Sequence, residues 1–271
     1  EELSSRFLDN VFHAGMDELN RACYKTNNET SEYLTNHTMN DISQYWLDKA
    51  LPILSKSRLT MWADVVAGEY GAPNVPTNII LQSWLGNGGE VKNLTSQGYS
   101  VILSPLNFVY LDCGSGSSPG NDPRYYESEE NSAFNYGTGG SWCGPYKTWQ
   151  RIYNWDLLSN LTSEDAKKVL GAEATVWTEM IDSTILTSII WPRSASLSEL
   201  LWSGNRDPTT GNLRTYSFFA RIVNFRQYLV ALGYNARPLV PQYCFRDIHA
   251  CELHLNPHEL DRFGKFFYKE D

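Results

Sequence analysis

Val11-Phe12-His13-Ala14-Gly15-Met16-Asp17-Glu18-Leu19-Asn20 is a short apolar run that ends in two adjacent carboxylates. Val11 to Ala14 reads as a strand, and the carboxylates sit just past its C-terminal end. Neighbouring side chains in an extended segment point to opposite sides. Asp17 and Glu18 are therefore badly placed to face one another and suited to different tasks on one substrate. The competing reading of the pair is a cap on the helix that follows.

Outward from this stretch, apolar runs alternate with helical patterns, as in an α/β protein with a parallel sheet. Four further strands are expected at Leu59 to Ala63, Asn78 to Trp84, Tyr99 to Ser104 (leading to Val109-Tyr110-Leu111-Asp112) and Ala172 to Trp177. Helices are expected from about Asn40 to Ser55, with Ile42, Trp46, Ala50 and Leu54 every four positions, and around Val91 to Gln97. Two more run from about Ser183 to Trp202, interrupted or kinked by Pro192, and from about Thr215 to Leu232, stopped by Gly233. The chemically capable residues fall together at C-terminal strand ends: Asp17-Glu18, Trp62, Trp84, Tyr110 with Asp112, and Trp177 with Glu179. That is the active face of a (β/α)8 barrel. The Gly-, Ser-, Asn- and Tyr-rich loop from Cys113 to about Pro145 is too long for a bare connection and reads as a lid over that face.

Composition bounds the partners. The 271 residues carry a formal net charge of -9 without a basic stripe, which argues against nucleic acid. No stretch is long and apolar enough to span a bilayer. Nine Trp and sixteen Tyr exceed what a compact core needs, and aromatic faces make platforms for pyranose rings. Sequons at Asn28, Asn36, Asn93 and Asn160 suit surface loops of a secreted, extracellular protein. The cysteines point the same way: Cys113 with Cys143, and Cys244 with Cys251, read as loop staples, with free buried thiols the alternative, and Cys23 is left over. No metal-ligand spacing is present, and neither a metal nor a cofactor is expected. His13 reads as a supporting hydrogen-bonding residue, whereas His37, His249, His254 and His258 read as surface.

His13 to Glu18 resembles the H-x-G-G-D-E motif of family 20 glycoside hydrolases, the β-N-acetylhexosaminidases, and the likeness extends through Gly171-Ala172-Glu173-Ala174-Thr175-Val176-Trp177-Thr178-Glu179 to the final helix and the Cys244/Cys251 tail. Secreted fungal members are the most similar in pattern. The resemblance implies a retaining, substrate-assisted hydrolysis in which the substrate's acetamido group takes the place of an enzyme nucleophile. Glu18 would then be the general acid and base, and Asp17 would hold the acetamido N–H. Tyr110 would hold its carbonyl. Trp62, Trp84 and Trp177 would enclose the sugar, while Asp112 and Glu179 bind its hydroxyls. A closed pocket implies exo-action on oligosaccharides ending in N-acetylglucosamine or N-acetylgalactosamine. Met16 departs from the motif, standing where the family has a second glycine.

Five strands are visible where a barrel needs eight, so about three βα units, on the order of a hundred residues, are expected on the N-terminal side. Residues 1–240 then read as the C-terminal part of a (β/α)8 catalytic barrel, roughly strands 4 to 8, and residues 241–271 as a tail packed on it. In the family the N-terminal half supplies an arginine for sugar hydroxyls and an Asp/His pair behind the acid, so little activity is expected of the chain alone. The expected partners are the substrate, that half as a separate chain or part of a longer one, and a second copy in a homodimer. Two other readings compete: a lectin-like protein that binds the sugar without turnover, and a retaining glycosidase of another barrel family with Glu179 as nucleophile.

Overall fold

The computed structural model describes residues 6–54, 57–85, 88–115, 143 and 146–241. In chain order its elements are β1 (Val11–His13), α1 (Arg21–Thr26), α2 (Asn28–Tyr33), α3 (Met39–Leu54), β2 (Arg58–Trp62), α4 (Asp64–Ala67), β3 (Ile80–Ser83), α5 (Gly88–Ser96), β4 (Ser100–Leu103), α6 (Leu106–Val109), α7 (Trp149–Tyr153), α8 (Ser163–Ala166), β5 (Val169–Ala172), α9 (Leu186–Ile190), α10 (Arg193–Ser203) and α11 (Thr215–Ala231). The five strands form one sheet in the order β1-β2-β3-β4-β5, every neighbouring pair parallel. Each strand is added on the same side of the last, without the reversal of order that marks a doubly wound sheet, and this is how a barrel wall is laid down.

The register separates two faces. Met61, Leu81, Val101 and Val169 lie side by side across four strands, and Trp62 is paired with Gln82 in the adjacent row. Both rows are largely buried, as in parallel sheets covered on both sides. The first row belongs to the main core with Leu47, Leu94, Ile152 and Ile222. The second leads toward the aromatic residues at the strand ends. The outer strands end the sheet with apolar side chains in the open: Val11 on β1 is 42% exposed and Leu170 on β5 is 51% exposed.

Three expectations are corrected. In α3 the buried positions are Met39, Ser43 and Leu47, one step round from the Ile42/Trp46 stripe. Ser43 fixes this rotation, since its hydroxyl bonds the carbonyls of Met39 and Tyr70, and Trp46 stays 40% exposed. The fifth strand lies earlier than Ala172 to Trp177: β5 pairs with β4 only through Ala172, across an irregular register at Gly171, and Thr175 bridges Tyr110 instead. Val109-Tyr110-Leu111-Asp112 does not continue the fourth strand, because Pro105 starts the α6 turn and the chain re-enters extended backbone at Tyr110. The span from Ser183 to Trp202 is interrupted at Pro192 as expected: it forms two helices, α9 and α10, divided at the cis Trp191–Pro192 bond, with Arg193 opening the second. The long last helix, α11, matches its expected span and buries Phe218, Ile222, Val223 and Leu229 on one side. Gly233, at φ 88°, follows its cap in the left-handed conformation that closes helices. The lid segment 116–142, Cys244, Cys251, the histidines beyond 241 and the tail lie outside the described residues. Among the described residues no helix is long and apolar enough to cross a membrane.

Candidate active site

After β1 the chain turns through three residues of positive φ: Gly15 at 73°, Met16 at 76° and Glu18 at 27°. Trp62 donates its backbone N–H to the Gly15 carbonyl at 3.0 Å, which ties this turn to the end of β2. The helix that follows is not capped by the carboxylates. Asn20 caps α1, its side chain accepting from the N–H groups of Ala22 and Cys23. Asp17 and Glu18 are thus left exposed and unused by local structure, which removes the capping explanation for the pair.

The two carboxylates serve different spaces. The charge of Asp17 acts on Tyr110, His13 and Asp64, so it lies within electrostatic reach of the ring of side chains beyond the strand ends. Glu18 lines a neighbouring cleft of about 430 Å³ together with Met16, Asp64, Glu69 and Tyr70.

That ring is a continuous chain of aromatic contacts. His13 meets Trp62 edge-on at 5.2 Å, and Trp62 lies 5.9 Å from Trp177. Trp177 is 6.2 Å from Tyr110, which lies nearly parallel to Trp84 at 6.4 Å. All three tryptophans and the tyrosine named from sequence are brought together. Trp62 and Tyr110 are buried, and Trp177 remains 37% exposed, so the ring has an open side. Burial raises the Tyr110 phenol well above its ordinary range, with Asp112, Asp64 and Asp17 adding to the rise and a hydrogen bond with Trp177 opposing it. Tyr110 therefore keeps its O–H proton as a donor. Asp112 accepts the backbone N–H of Trp177 at 3.2 Å, and its carboxyl is raised chiefly by burial. Glu179 is exposed; its charge pushes Asp112 the same way.

Polar residues that sequence reading did not single out stand behind the ring. Asp64, first residue of α4, accepts the Trp84 indole N–H at 2.7 Å. Gln82 donates to Ser104 at 2.7 Å and to Glu173 at 3.4 Å. Desolvation lowers the His13 imidazole below the ordinary histidine range, against Glu173, Gln82 and Asp17, which raise it. His13 also accepts the Gly15 N–H at 3.1 Å, the supporting role expected of it. His37 stacks on Tyr33 at the surface. Arg193 is 1% exposed and donates to the carbonyls of Lys147, Leu111 and Ile189 at 2.6 to 2.8 Å, with Tyr146 over its guanidinium. It pins the backbone beside Asp112. A charged residue on the face that carries Leu197 and Leu200 was the available signal for it.

Cys113 and Cys143 form a disulfide, as read from the sequence, and Cys23 is free and exposed. Asp112, Cys113 and Cys143 place potential metal-ligand atoms within 4.8 Å of one another, but two of the three are the disulfide sulfurs and are not thiolate ligands. The four sequon asparagines are all exposed.

Residues 1–205 match the family model described as glycosyl hydrolase family 20, catalytic domain. The chain is 48% identical over 265 residues to a beta-hexosaminidase of Emericella nidulans, covering 93% of this chain and 44% of that protein. It is 46% identical to beta-hexosaminidase 1 of Coccidioides posadasii, again over 93% of this chain and 44% of the relative. The chain thus spans less than half the length of these relatives. Among solved structures, the exo beta-N-acetylglucosaminidase of Vibrio harveyi in complex with N-acetylglucosamine superimposes with a TM-score of 0.64 at 21% identity, over 89% of this chain and 35% of that one.

Proposed function

We propose that this chain, which belongs to glycosyl hydrolase family 20, forms roughly strands 4 to 8 of a (β/α)8 catalytic domain that removes terminal non-reducing N-acetyl-β-D-hexosamine residues from chitooligosaccharides or glycans. The observation that carries the reading is the ring of Trp62, Trp177, Tyr110 and Trp84 beside two exposed carboxylates that face different spaces. A sugar and its acetamido methyl fit against indole and phenol faces. Within that ring, Asp17 takes the acetamido N–H, and the protonated Tyr110 donates to the acetamido carbonyl. Held from both sides, the carbonyl oxygen is aimed at the anomeric carbon, and the oxazolinium-like intermediate forms without an enzyme nucleophile. Glu18, at the wall of the adjoining cleft, protonates the leaving oxygen and then activates the water that opens the ring. Asp112 and Glu179 bind the outer hydroxyls.

The exposed apolar residues on both outer strands support completion of the barrel by three further βα units, within the same polypeptide or on a companion. Exposed sequons and the disulfide support a secreted glycoprotein, which a mass shift on deglycosylation tests. A homodimer belongs to the same reading and is tested by light scattering.

The deciding experiment is hydrolysis of an aryl N-acetyl-β-glucosaminide beside the matching aryl glucoside by the complete protein, repeated with Glu18→Gln. Selective cleavage of the acetamido substrate, lost in the variant by about 10²-fold or more, is the expected result. Equal rates on both substrates would overturn substrate assistance, and sugar binding without cleavage would identify a lectin-like protein.

A further inference from the structure

We propose that Asp64 is a positioning residue that laces the proton-donor loop to the wall of the sugar pocket. The inference rests on the family 20 reading of the site. Asp64 sits between the two parts, two residues after β2, with β1 and its turn leading to Glu18 on one side and β3 leading to Trp84 on the other. Its Oδ2 accepts the Trp84 indole N–H at 2.7 Å, and its carboxylate, which lines the same cleft as Glu18, interacts with the backbone N–H of that residue. One side chain therefore fixes an aromatic wall and the backbone of the acid together.

The choice of residue type supports this. A carboxylate offers two acceptor oxygens and no donor, so it satisfies two N–H groups at once; an amide of the same shape satisfies one and turns an NH2 toward the other. The carboxylate is also costly at this place. Asp17 and Glu90 interact with Asp64 as like charges, and its identified hydrogen-bond partners are neutral donors. A role confined to holding an indole does not require a charge there. The loop, in contrast, needs a restraint: Met16 and Glu18 both hold positive φ, a conformation that L-residues leave unless the surroundings over-determine it. The placement of Asp64 against the Glu18 N–H, in the cleft the two residues share, supplies one such constraint at the residue whose side chain donates the proton.

The test uses the complete protein and compares Asp64→Asn, Trp84→Phe and the double variant in kcat and KM on an aryl N-acetyl-β-glucosaminide, with thermal unfolding alongside. Asp64→Asn is nearly isosteric and is expected to fold with little change in Tm while kcat/KM falls roughly 10- to 100-fold, mainly in kcat. In the Trp84→Phe background, where the indole N–H is already gone, the further loss from Asp64→Asn is expected to be smaller. A kcat/KM for Asp64→Asn within twofold of the parent overturns the proposal. So does a lowered Tm with unchanged kcat per folded molecule, which would make Asp64 structural only. Strict additivity of the two substitutions overturns action through Trp84. If the unsubstituted protein fails to cleave the substrate, the family 20 reading falls first, and this inference with it.

Discussion

Met16 and Glu18, on either side of Asp17, both hold positive φ, at 76° and 27°. The left-handed region costs an L-residue about 1 to 2 kcal/mol, and the family motif has glycine where this chain has Met16. The methionine side chain recovers part of that cost, since it packs against the main core and lines the cleft beside Glu18. At ordinary positions alanine is more favourable than glycine. At position 16 the order should invert: Met16→Gly is expected to be more stable than Met16→Ala by about 1 kcal/mol. Paired denaturant titrations give the sign, and an alanine variant equal to or better than glycine would show that the position is unstrained.

The same residue shows what was legible before the structure. The likeness of Val11 to Asn20 to a glycine-containing motif marked position 16 as anomalous, and the φ supplies the reason. The ends of β2 and β3 were legible because the chemistry-bearing residues follow buried aliphatics, such as Leu59 and Met61 before Trp62, whereas the end of β5 was not. Asp64, Gln82, Glu173 and Arg193 were not, because each acts by a hydrogen bond or charge to an element distant in sequence. Arg193 to Leu111 spans 82 positions. The rotation of α3 was missed for a related reason: a serine, bonded to a carbonyl on another element, faces the core where hydropathy favoured a tryptophan.

Tyr110→Phe separates binding from catalysis. The ring remains to stack on Trp84 and to meet Trp177 at a tilt, and only the hydroxyl is lost. Misplacing the attacking carbonyl oxygen that Tyr110 holds costs about 10²-fold in kcat, whereas one hydrogen bond contributes about 0.5 to 1.5 kcal/mol to stability. The expected outcome in the complete protein is a large fall in kcat with a modest change in Tm. An equal rise in KM at constant kcat would reassign Tyr110 to ground-state binding.

The Cys113–Cys143 bond closes a 30-residue separation directly after Tyr110 and Asp112. Loop-closure entropy for that span corresponds to about 3 to 4 kcal/mol. The double Cys113→Ala/Cys143→Ala variant is expected to lose about that much unfolding free energy and to weaken sugar binding, because both cysteines are buried against Tyr110 and Trp84. Equilibrium unfolding of the parent and the variant without reductant measures the first effect, and adding reductant should destabilise the parent more than the variant. A parent indifferent to complete reduction would show that the bond contributes no stability.

Lys147 gives the clearest pH signature. It is 2% exposed, donates to the Cys143 carbonyl at 2.8 Å, and burial lowers its ammonium to about 8, with Arg151 adding to the fall and Asp112 opposing it. Its ordinary value is 10.5. Between these two values the folded protein has released the proton and the unfolded chain still holds it. The unfolded state therefore binds more protons, and stability rises with pH by up to about 1.4 kcal/mol per unit. Below about 8 both states are protonated, and this contribution to the slope vanishes. The buried tyrosines Tyr99, Tyr110 and Tyr153 act oppositely, since their phenols are raised and the unfolded chain ionises first, but only near and above pH 10. Unfolding free energies of the parent and of Lys147→Met, compared from about pH 7 to 9.5, should diverge, with the parent gaining on the variant above pH 8. Parallel curves would mean that Lys147 stays protonated in the fold, held by the Cys143 carbonyl and the nearby Asp112 in spite of its burial.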